Sequence, residues 1–238
     1  MCSNYISVST QERLLHFFGV YRDDPKLPPE IWPTGLAPFI RLAEPGSGNK
    51  RVVEHGHYGL LPSFAKEVAY GRRTYNSRSE TVHSLASFKE AWNKGWRCII
   101  PAEILFEPYY PPEGGRPMRW AITRPGRVPM GVAGIYRHWR APDGTKAFSF
   151  AMLTVNADSH PFYSRFHKPG EEKRMPVILD ESEYDAWLAC DVTAAPNFFQ
   201  LYEGALDGEP APLPPRAPPS SSVRTSRPPP PPEQTGLF

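Results

Sequence analysis

The sequence is poor in the features that assign a chain to a familiar class at sight. It has three cysteines in 238 residues, which are too few and too scattered for a disulfide framework or a zinc cluster. It has no apolar run of about 18 residues, so no transmembrane helix is predicted. It also lacks Gly-x-Gly-x-x-Gly and Gly-Lys-Ser/Thr loops, so the sequence does not indicate a nucleotide cofactor. We therefore predict no cofactor and no metal.

An excess of charge of one sign is lacking as well. Lys and Arg number 27 against 25 Asp and Glu, which gives a formal net charge of +2. This balance argues against a bulk electrostatic nucleic-acid binder but leaves room for a local basic groove. The N-terminus has neither the basic nor the apolar region of a secretory signal, so we expect a reducing cytosol as the compartment.

Proline is the residue in excess, with 30 copies against a usual share of about 5%. Much of the excess follows Pro210 and includes five consecutive prolines ending at Pro232. Such a stretch cannot bury a core and favours extended polyproline II. We predict one compact domain over residues 2–209 and a disordered Pro-rich tail over residues 210–238. A ligand for SH3-like modules is the alternative interpretation of the tail.

Residues 2–209 read as mixed helix and strand. Hydrophobic spacing and capping residues predict helices over about 9–20, 79–96 and 181–189. Apolar runs bounded by Pro and Gly predict strands over 38–43, 51–61, 97–101, 104–107, 118–123, 129–138 and 147–154. Because helices and strands do not alternate regularly, a doubly wound parallel sheet is excluded and an α+β domain is favoured.

Cys2 stands out by its position directly after the initiator methionine. Removal of Met1 would expose an amine and a thiol on adjacent carbons. An α-amine, with an ordinary pKa of about 7.7–8.0, is partly unprotonated near neutral pH. Such a group can form a Schiff base with an aldehyde and then close a thiazolidine ring, or it can attack an amide as an N-terminal nucleophile.

Three further segments could carry chemistry. Asn76 and Arg78 would share one face of an extended segment, where an amide can orient a substrate and a guanidinium can bind phosphate. Glu107 follows an apolar run, so partial burial would favour a general acid, and Glu103 is the competing carboxylate. His167 lies in a loop before a predicted strand and could shuttle protons.

Taken in order, five segments resemble one family. They are Met-Cys at the start, Tyr58-Gly-Leu-Leu-Pro-Ser, Asn76-x-Arg78-x-Glu80, Arg97-Cys-Ile-Ile-Pro-Ala followed by Phe106-Glu107, and His167 followed by Arg174-Met-Pro-Val-Ile-Leu. The chain resembles the SRAP family, the SOS-response-associated peptidases or abasic-site processing proteins, from residue 2 to about residue 190.

The resemblance implies a fold and a function. The fold is a single compact α+β domain with a strongly bent, barrel-like mixed β-structure flanked by helices. The function is binding of single-stranded DNA at abasic sites and formation of a thiazolidine cross-link through Cys2 in the DNA-damage (SOS) response. The peptidase name reflects self-removal of Met1 and a proposed protease activity, and AP-lyase activity is a further expectation. The expected protein is a bacterial, nucleoid-associated monomer.

The resemblance also implies roles for the site residues. Cys2 would be the nucleophile and cross-linking residue, and Asn76 would position the opened sugar. Glu107 would assist proton transfer, and His167 would exchange a proton with the ribose oxygen. The DNA contacts implied by the family motifs fall on four residues, namely Arg78, Arg174, Phe64 and Asn4.

The chain departs from the family pattern at three places, and one of them is Pro108 after Glu107, where an aromatic residue is common. It has Ser3 and Asn4 where the family usually has Gly-Arg, which removes one phosphate contact. The spacer from His167 to Arg174 is longer than usual, so His160 becomes a rival for the histidine role. These departures indicate a divergent member.

Other functions stay open at this point. An N-terminal-nucleophile cysteine peptidase or amidase needs the same free Cys2 and no DNA; glutamine amidotransferases also begin with cysteine, but this chain lacks their second domain. A non-enzymatic interaction module that works through the tail is the third interpretation. His55 and His57 share a strand face, yet no third metal ligand accompanies them.

Overall fold

The architecture is a closed five-stranded β-barrel with further strands and short helices around it. The computed structural model describes residues 3–8, 10–21, 27–48 and 50–214. Met1, Cys2 and the chain from residue 215 onward therefore lie outside the described residues. The predicted α+β domain with a barrel-like β-structure is confirmed.

Within the described residues, the fold has twelve strands and three α-helices. The strands are β1 Asn4–Ser7, β2 Glu30–Ile31, β3 Leu36–Leu42, β4 Arg51–Tyr58, β5 Asn76–Arg78, β6 Arg97–Tyr109, β7 Met118–Thr123, β8 Met130–Arg140, β9 Lys146–Asn156, β10 Arg174–Pro176, β11 Ile178–Leu179 and β12 Asp207–Pro210. The helices are α1 Gln11–Phe18, α2 Lys89–Asn93 and α3 Tyr184–Ala189.

The barrel closes in the order β8, β9, β4, β3, β6 and back to β8. Only the β4–β9 contact among these is parallel. The first half of β6 pairs with β8, and its second half pairs with β1 and β7. This strand therefore extends from the barrel wall into a second layer, and it carries Glu107 there.

The barrel interior is filled by aliphatic and aromatic side chains, as its largely buried strands require. The Phe150 ring centroid lies 5.4 Å from that of Phe39 and 5.7 Å from that of Tyr58, and all three side chains are fully buried. Trp187 of α3 packs against β6 from outside and donates its indole N–H to the carbonyl of Cys98 at 2.8 Å. Burial on both faces explains why β8 and β9 read as continuous apolar runs.

The first predicted helix is confirmed. The Thr10 side chain caps α1 by accepting the Arg13 N–H at 3.4 Å. Gly19 ends the helix in the left-handed conformation, with φ of 65°. The third predicted helix is present as a 3₁₀ turn over 181–183 followed by α3, and Asp180 supplies its capping box.

Two other predictions are wrong. The helix predicted over 79–96 is limited to the five residues of α2, because residues 79–88 form a series of turns. The strands predicted over 97–101 and 104–107 are one strand, β6. Pro101 does not interrupt β6, because it lacks only the N–H, and its carbonyl accepts the Val8 N–H at 3.1 Å.

The connection from β4 to β5 contains a close contact between two stretches of backbone. β4 and β5 both lie parallel to β9, at successive positions along it. Between them, Gly59 has a φ of 128°, and a Cβ there would stand 2.3 Å from the carbonyl oxygen of Gly71. Only glycine fits at position 59, and this contact allows β5 to present Asn76 beside β9.

The last described strand seals the edge of β7. β12 pairs with β7 from Asp207 to Pro210, and the Ala211 N–H then donates to the Arg119 carbonyl at 2.8 Å. Sheet pairing therefore continues just past residue 209, the predicted domain boundary. The disordered tail stays a prediction. Among the described helices, none is long and apolar enough to cross a membrane.

Candidate active site

The second half of β6 carries a buried carboxylate that meets a histidine from a distant loop. Glu107 is 1% exposed, and its Oε2 lies 2.9 Å from Nε2 of His167. A β-bridge between Tyr109 and Phe166 brings the two segments together. Sequence reasoning predicted both residues as site candidates, and the fold places them in direct contact.

The backbone around His167 determines which of its ring nitrogens carries the proton. The residue has a φ of 64°, which is strained for a side chain of this size. Its N–H donates to the Pro108 carbonyl at 2.9 Å, and the Arg174 N–H donates to its Nδ1 at 3.4 Å. Because Nδ1 accepts, Nε2 carries the proton that is donated to Glu107. We call this unit the Glu107–His167 pair; it can hold and transfer a proton.

β5 places two further predicted residues on one face. Asn76 is half-buried and pairs in register with Met152 of β9. Arg78 lies two residues further along the same strand, as the extended interpretation predicted. Its side chain is exposed, and its Nη1 donates to Oε2 of Glu172 at 2.7 Å. Arg78 can thus exchange one solvent-facing carboxylate for another anion.

Arg174 is placed differently from Arg78. Its guanidinium is buried and donates to both oxygens of Glu80, at 2.8 and 2.9 Å, to Glu172 at 2.6 Å and to the Thr154 carbonyl at 2.6 Å. Burial alone would lower the pKa of Arg174, but the two carboxylates outweigh it and raise that pKa. Hydrogen bonding from Arg174 in turn lowers the pKa of Glu172. A phosphate could reach this guanidinium only by displacing a carboxylate.

The strand that follows the predicted nucleophile is anchored through Asn4, which the sequence predicted as a DNA contact, by two residues that sequence reasoning missed. Asn4 is buried, and its Nδ2 donates to Oε1 of Glu30 at 2.6 Å. Nη2 of Arg119 donates to the same oxygen at 2.5 Å, and the guanidinium lies over the Phe106 ring at 3.3 Å. We call this the Asn4–Glu30–Arg119 link. No motif marks Glu30 or Arg119, because the link depends on how β1, β2 and β7 are paired. Cys2 itself lies outside the described residues.

The alternatives considered from sequence occupy other surroundings. Glu103, the rival carboxylate, forms a two-point ion pair with Arg13 of α1, at 2.7 Å for each bond. His160, the rival histidine, accepts the Phe162 and Tyr163 N–H groups at Nδ1. Its Nε2 donates to the Tyr202 carbonyl at 2.8 Å. Both ring nitrogens of His160 are therefore already bonded to backbone groups.

The remaining candidates are spread over the surface and core. Phe64 is exposed and touches Tyr70 edge-on, with ring centroids 5.6 Å apart. Burial raises the pKa of the Cys98 thiol, and burial also raises that of Cys190, so both thiols are held in their less nucleophilic form. Nδ1 of His57 bonds to the Thr34 carbonyl at 3.0 Å. Within the described ranges, no group of three or more His, Cys, Asp and Glu side chains could hold a metal ion.

A cleft of about 260 Å³ opens beside Glu107. Its lining includes Ser3, Asn4, Trp32, Met118 and Arg119. The start of the described chain, a buried acid–base pair and an apolar wall therefore meet at one place. This arrangement suits proton transfer to a reactive group at the N-terminus.

Comparison with known proteins gives a consistent result. A family model described as SOS response associated peptidase (SRAP) matches residues 1–209. The abasic site processing protein YoqW of Bacillus subtilis is 28% identical over 199 residues, covering 79% of this chain and 80% of that protein. The mouse abasic site processing protein HMCES is 29% identical over 177 residues, covering 63% of this chain and 48% of that protein.

A solved structure agrees in fold and in sequence. A crystal structure of a protein from Bordetella bronchiseptica is 33% identical and has a TM-score of 0.81. The match covers 89% of this chain and all of that one. With the family model matching residues 1–209, the chain belongs to the SOS response associated peptidase family.

Proposed function

We propose that this protein processes abasic sites in single-stranded DNA by capturing the abasic aldehyde on Cys2. The observation that carries the proposal is the buried Glu107–His167 pair beside a cleft that is lined by Ser3 and Asn4. Cys2 is two residues before Asn4, so the chain keeps their Cα atoms within about 7 Å. Names of two relatives, each an abasic site processing protein, support the same substrate.

The chemistry balances without a cofactor. The Cys2 amine adds to the aldehyde carbon of the opened sugar, and loss of one water gives an imine. The thiol sulfur then adds to the imine carbon, the thiol proton passes to nitrogen, and a thiazolidine ring results. Glu107 accepts and returns these protons, and the His167 ring, joined to it by the 2.9 Å hydrogen bond, exchanges a proton with the ribose oxygen. Met1 must first be removed, because the reaction needs a free amine.

The DNA contacts divide between two faces in this proposal. Asn76 orients the opened sugar from β5, and the exposed Arg78 binds a flanking phosphate after leaving Glu172. Exposed Phe64 offers a ring on which a base can stack. Arg174 has four protein partners already, and we assign it to holding β10 and the His167 ring in place.

The Asn4–Glu30–Arg119 link gives Asn4 a positioning role. Two hydrogen bonds to one Glu30 oxygen fix the strand that follows Cys2. Asn4 thus positions the nucleophile indirectly, because it anchors β1. Direct contact of its amide with DNA is not required.

Intact mass spectrometry with a single-stranded oligonucleotide bearing one abasic site tests the proposal. We expect an adduct with the mass of protein lacking Met1 plus DNA minus one water. Cys2→Ser keeps the amine, so it should give only an imine that borohydride reduction traps, whereas Cys190→Ala should behave as wild type. Absence of an adduct from protein with a verified free Cys2 would contradict the proposal, and peptide or glutamine turnover would then favour the N-terminal peptidase or amidase.

A further inference from the structure

The cleft beside Glu107 contains a large aromatic side chain that the rest of the site does not use. Trp32 is 44% exposed. Its indole makes no hydrogen bond and no ring contact with any residue in the described part of the chain. Tryptophan is costly to leave in water, and an exposed one at the lip of a cleft is typical of a contact surface.

The backbone holds Trp32 rigidly in this position. It begins a tight turn in which the Gly35 N–H donates to the Trp32 carbonyl at 2.8 Å. Thr34 has a φ of 78°, an unfavourable conformation for a β-branched residue. Three bonds to β4 over-determine the turn: Thr34 N–H to Tyr58 carbonyl at 2.6 Å, Tyr58 N–H to Gly35 carbonyl at 2.8 Å, and His57 Nδ1 to Thr34 carbonyl at 3.0 Å. The strain and the exposed ring occur together, as is common where a segment is preorganised for binding.

The other residues that line the cleft include an arginine packed on an aromatic ring and an exposed methionine. The Arg119 guanidinium is stacked on Phe106 and only 18% exposed at its side chain. Met118, next to it, is exposed toward the same opening. Trp32 therefore gives the cleft one free aromatic face, and we call this cleft the slot.

The charges lining the slot are already compensated. Arg119 is bonded to Glu30, and Glu107 is bonded to His167. An anionic phosphate would find no uncommitted cation among the described residues that line this slot. A neutral, flat ring suits it better, and among the parts of a DNA strand only a base has that character.

We propose that the slot binds the base of a nucleotide next to the abasic position, stacked on Trp32. The inference rests on the proposed function and deepens it, because it gives the neighbouring nucleotide a place of its own. Stacking supplies the contact, so the identity of the base has little influence. The role of the slot is to hold the strand so that the abasic sugar faces Glu107.

A combined change in protein and DNA tests this. Three oligonucleotides carry one abasic site and either both neighbouring bases, no 5′ base or no 3′ base, the missing base being replaced by tetrahydrofuran. We expect Trp32→Ala to slow adduct formation by about fivefold or more on the complete oligonucleotide. It should have no effect on one of the two stripped oligonucleotides, because the base that stacks there is gone.

Three controls accompany the measurement. Trp32→Phe should recover most of the rate because it restores an aromatic face. Tyr21→Ala, at an exposed aromatic residue that does not line the cleft, should match wild type on all three oligonucleotides. Circular dichroism checks that each variant is folded. An equal loss for Trp32→Ala on all three oligonucleotides, or no loss on the complete one, would overturn the inference.

Equilibrium binding separates the inference from the proposed function. The same three sequences are prepared with tetrahydrofuran at the lesion, which cannot react with an amine. Loss of an adduct together with the same Trp32-dependent affinity pattern would contradict capture by Cys2 and support the base slot. Adduct formation with no such pattern in either rate or affinity would support capture and overturn the slot.

Discussion

His160 and His167 lie in the same loop between β9 and β10, both are buried, and their surroundings are opposite in character. Among the described residues, the His160 ring hydrogen-bonds only with backbone groups: two N–H groups donate to its Nδ1, and its Nε2 donates to a carbonyl. His167 receives one backbone N–H and faces the carboxylate of Glu107. The comparison teaches that burial does not distinguish a histidine held by backbone groups from one that faces a carboxylate, which is the arrangement we propose for proton transfer; the partner of the second nitrogen does.

The largest expected effect tests the His167 half of this comparison. His167→Gln keeps a side-chain N–H for Glu107 but loses the ring, so we expect the rate of adduct formation to fall about 100-fold. Glu107→Gln should cause a similar fall, because it keeps a hydrogen bond and loses the base. Single-turnover mass spectrometry measures both rates, and thermal melting confirms folding. Rates within threefold of wild type in folded variants would rule out the Glu107–His167 pair as the proton-transfer unit.

The next largest effect tests the His160 half of the comparison. His160→Ala leaves two buried N–H groups and one carbonyl without partners, which should lower the free energy of unfolding by about 2–4 kcal/mol. The melting temperature should fall by roughly 5–15 °C, while the adduct rate at 20 °C stays within twofold. His160→Asn serves as the matched variant, since its Oδ1 can accept the same N–H groups and restore part of the stability. If His160→Ala kept its melting temperature but formed the adduct more slowly, the structural role would belong to His167 and the chemical role to His160.

The smallest effect concerns Glu172, which helps Arg174 hold the His167 ring. Hydrogen bonding from Arg174 lowers the pKa of Glu172 below its ordinary value of 4.5. The unfolded chain therefore binds more protons than the folded one at this residue, and the stabilisation is present above pH 4.5 and lost as pH falls through the lowered pKa. Urea unfolding between pH 5 and 3 should show a shallower loss of stability for Glu172→Gln than for wild type.

The exposed neighbour of this residue provides the control. Glu171 lies 3.8 Å from Lys168 at the surface, so Glu171→Gln should follow the wild-type pH profile. Identical profiles for wild type, Glu171→Gln and Glu172→Gln would mean that the bond to Arg174 adds no pH-dependent stability.

The sequence was sufficient to single out Glu107 and His167 as candidates, but it did not show why the two side chains meet. Glu107 was predictable because it follows an apolar run, and His167 because it precedes a strand. Their contact depends on the bridge between Tyr109 and Phe166, which no local pattern encodes. Glu30 and Arg119 were missed for the same reason. Strand register decides which residues meet, and strands buried on both faces have no alternating pattern to specify it.

The two wrong elements have local causes. In the segment predicted as a helix over 79–96, a side-chain hydroxyl bonds the local backbone, since Ser84 Oγ donates to the Thr81 carbonyl at 3.2 Å. Such bonds compete with helical ones and favour turns. In β6, Pro101 looks like a strand end, although its remaining carbonyl is enough to keep the sheet continuous.

The pairing of β12 with β7 has a consequence for the order in which the protein is made. β12 is synthesised after every barrel strand, and the Ala211 carbonyl that follows it accepts from Nη1 of Arg119 at 3.3 Å. A nascent chain can therefore complete its barrel on the ribosome before the wall that carries Arg119 is braced. The cleft becomes fully built only when the last paired residues leave the ribosome, so its chemistry is the final property that the growing chain acquires.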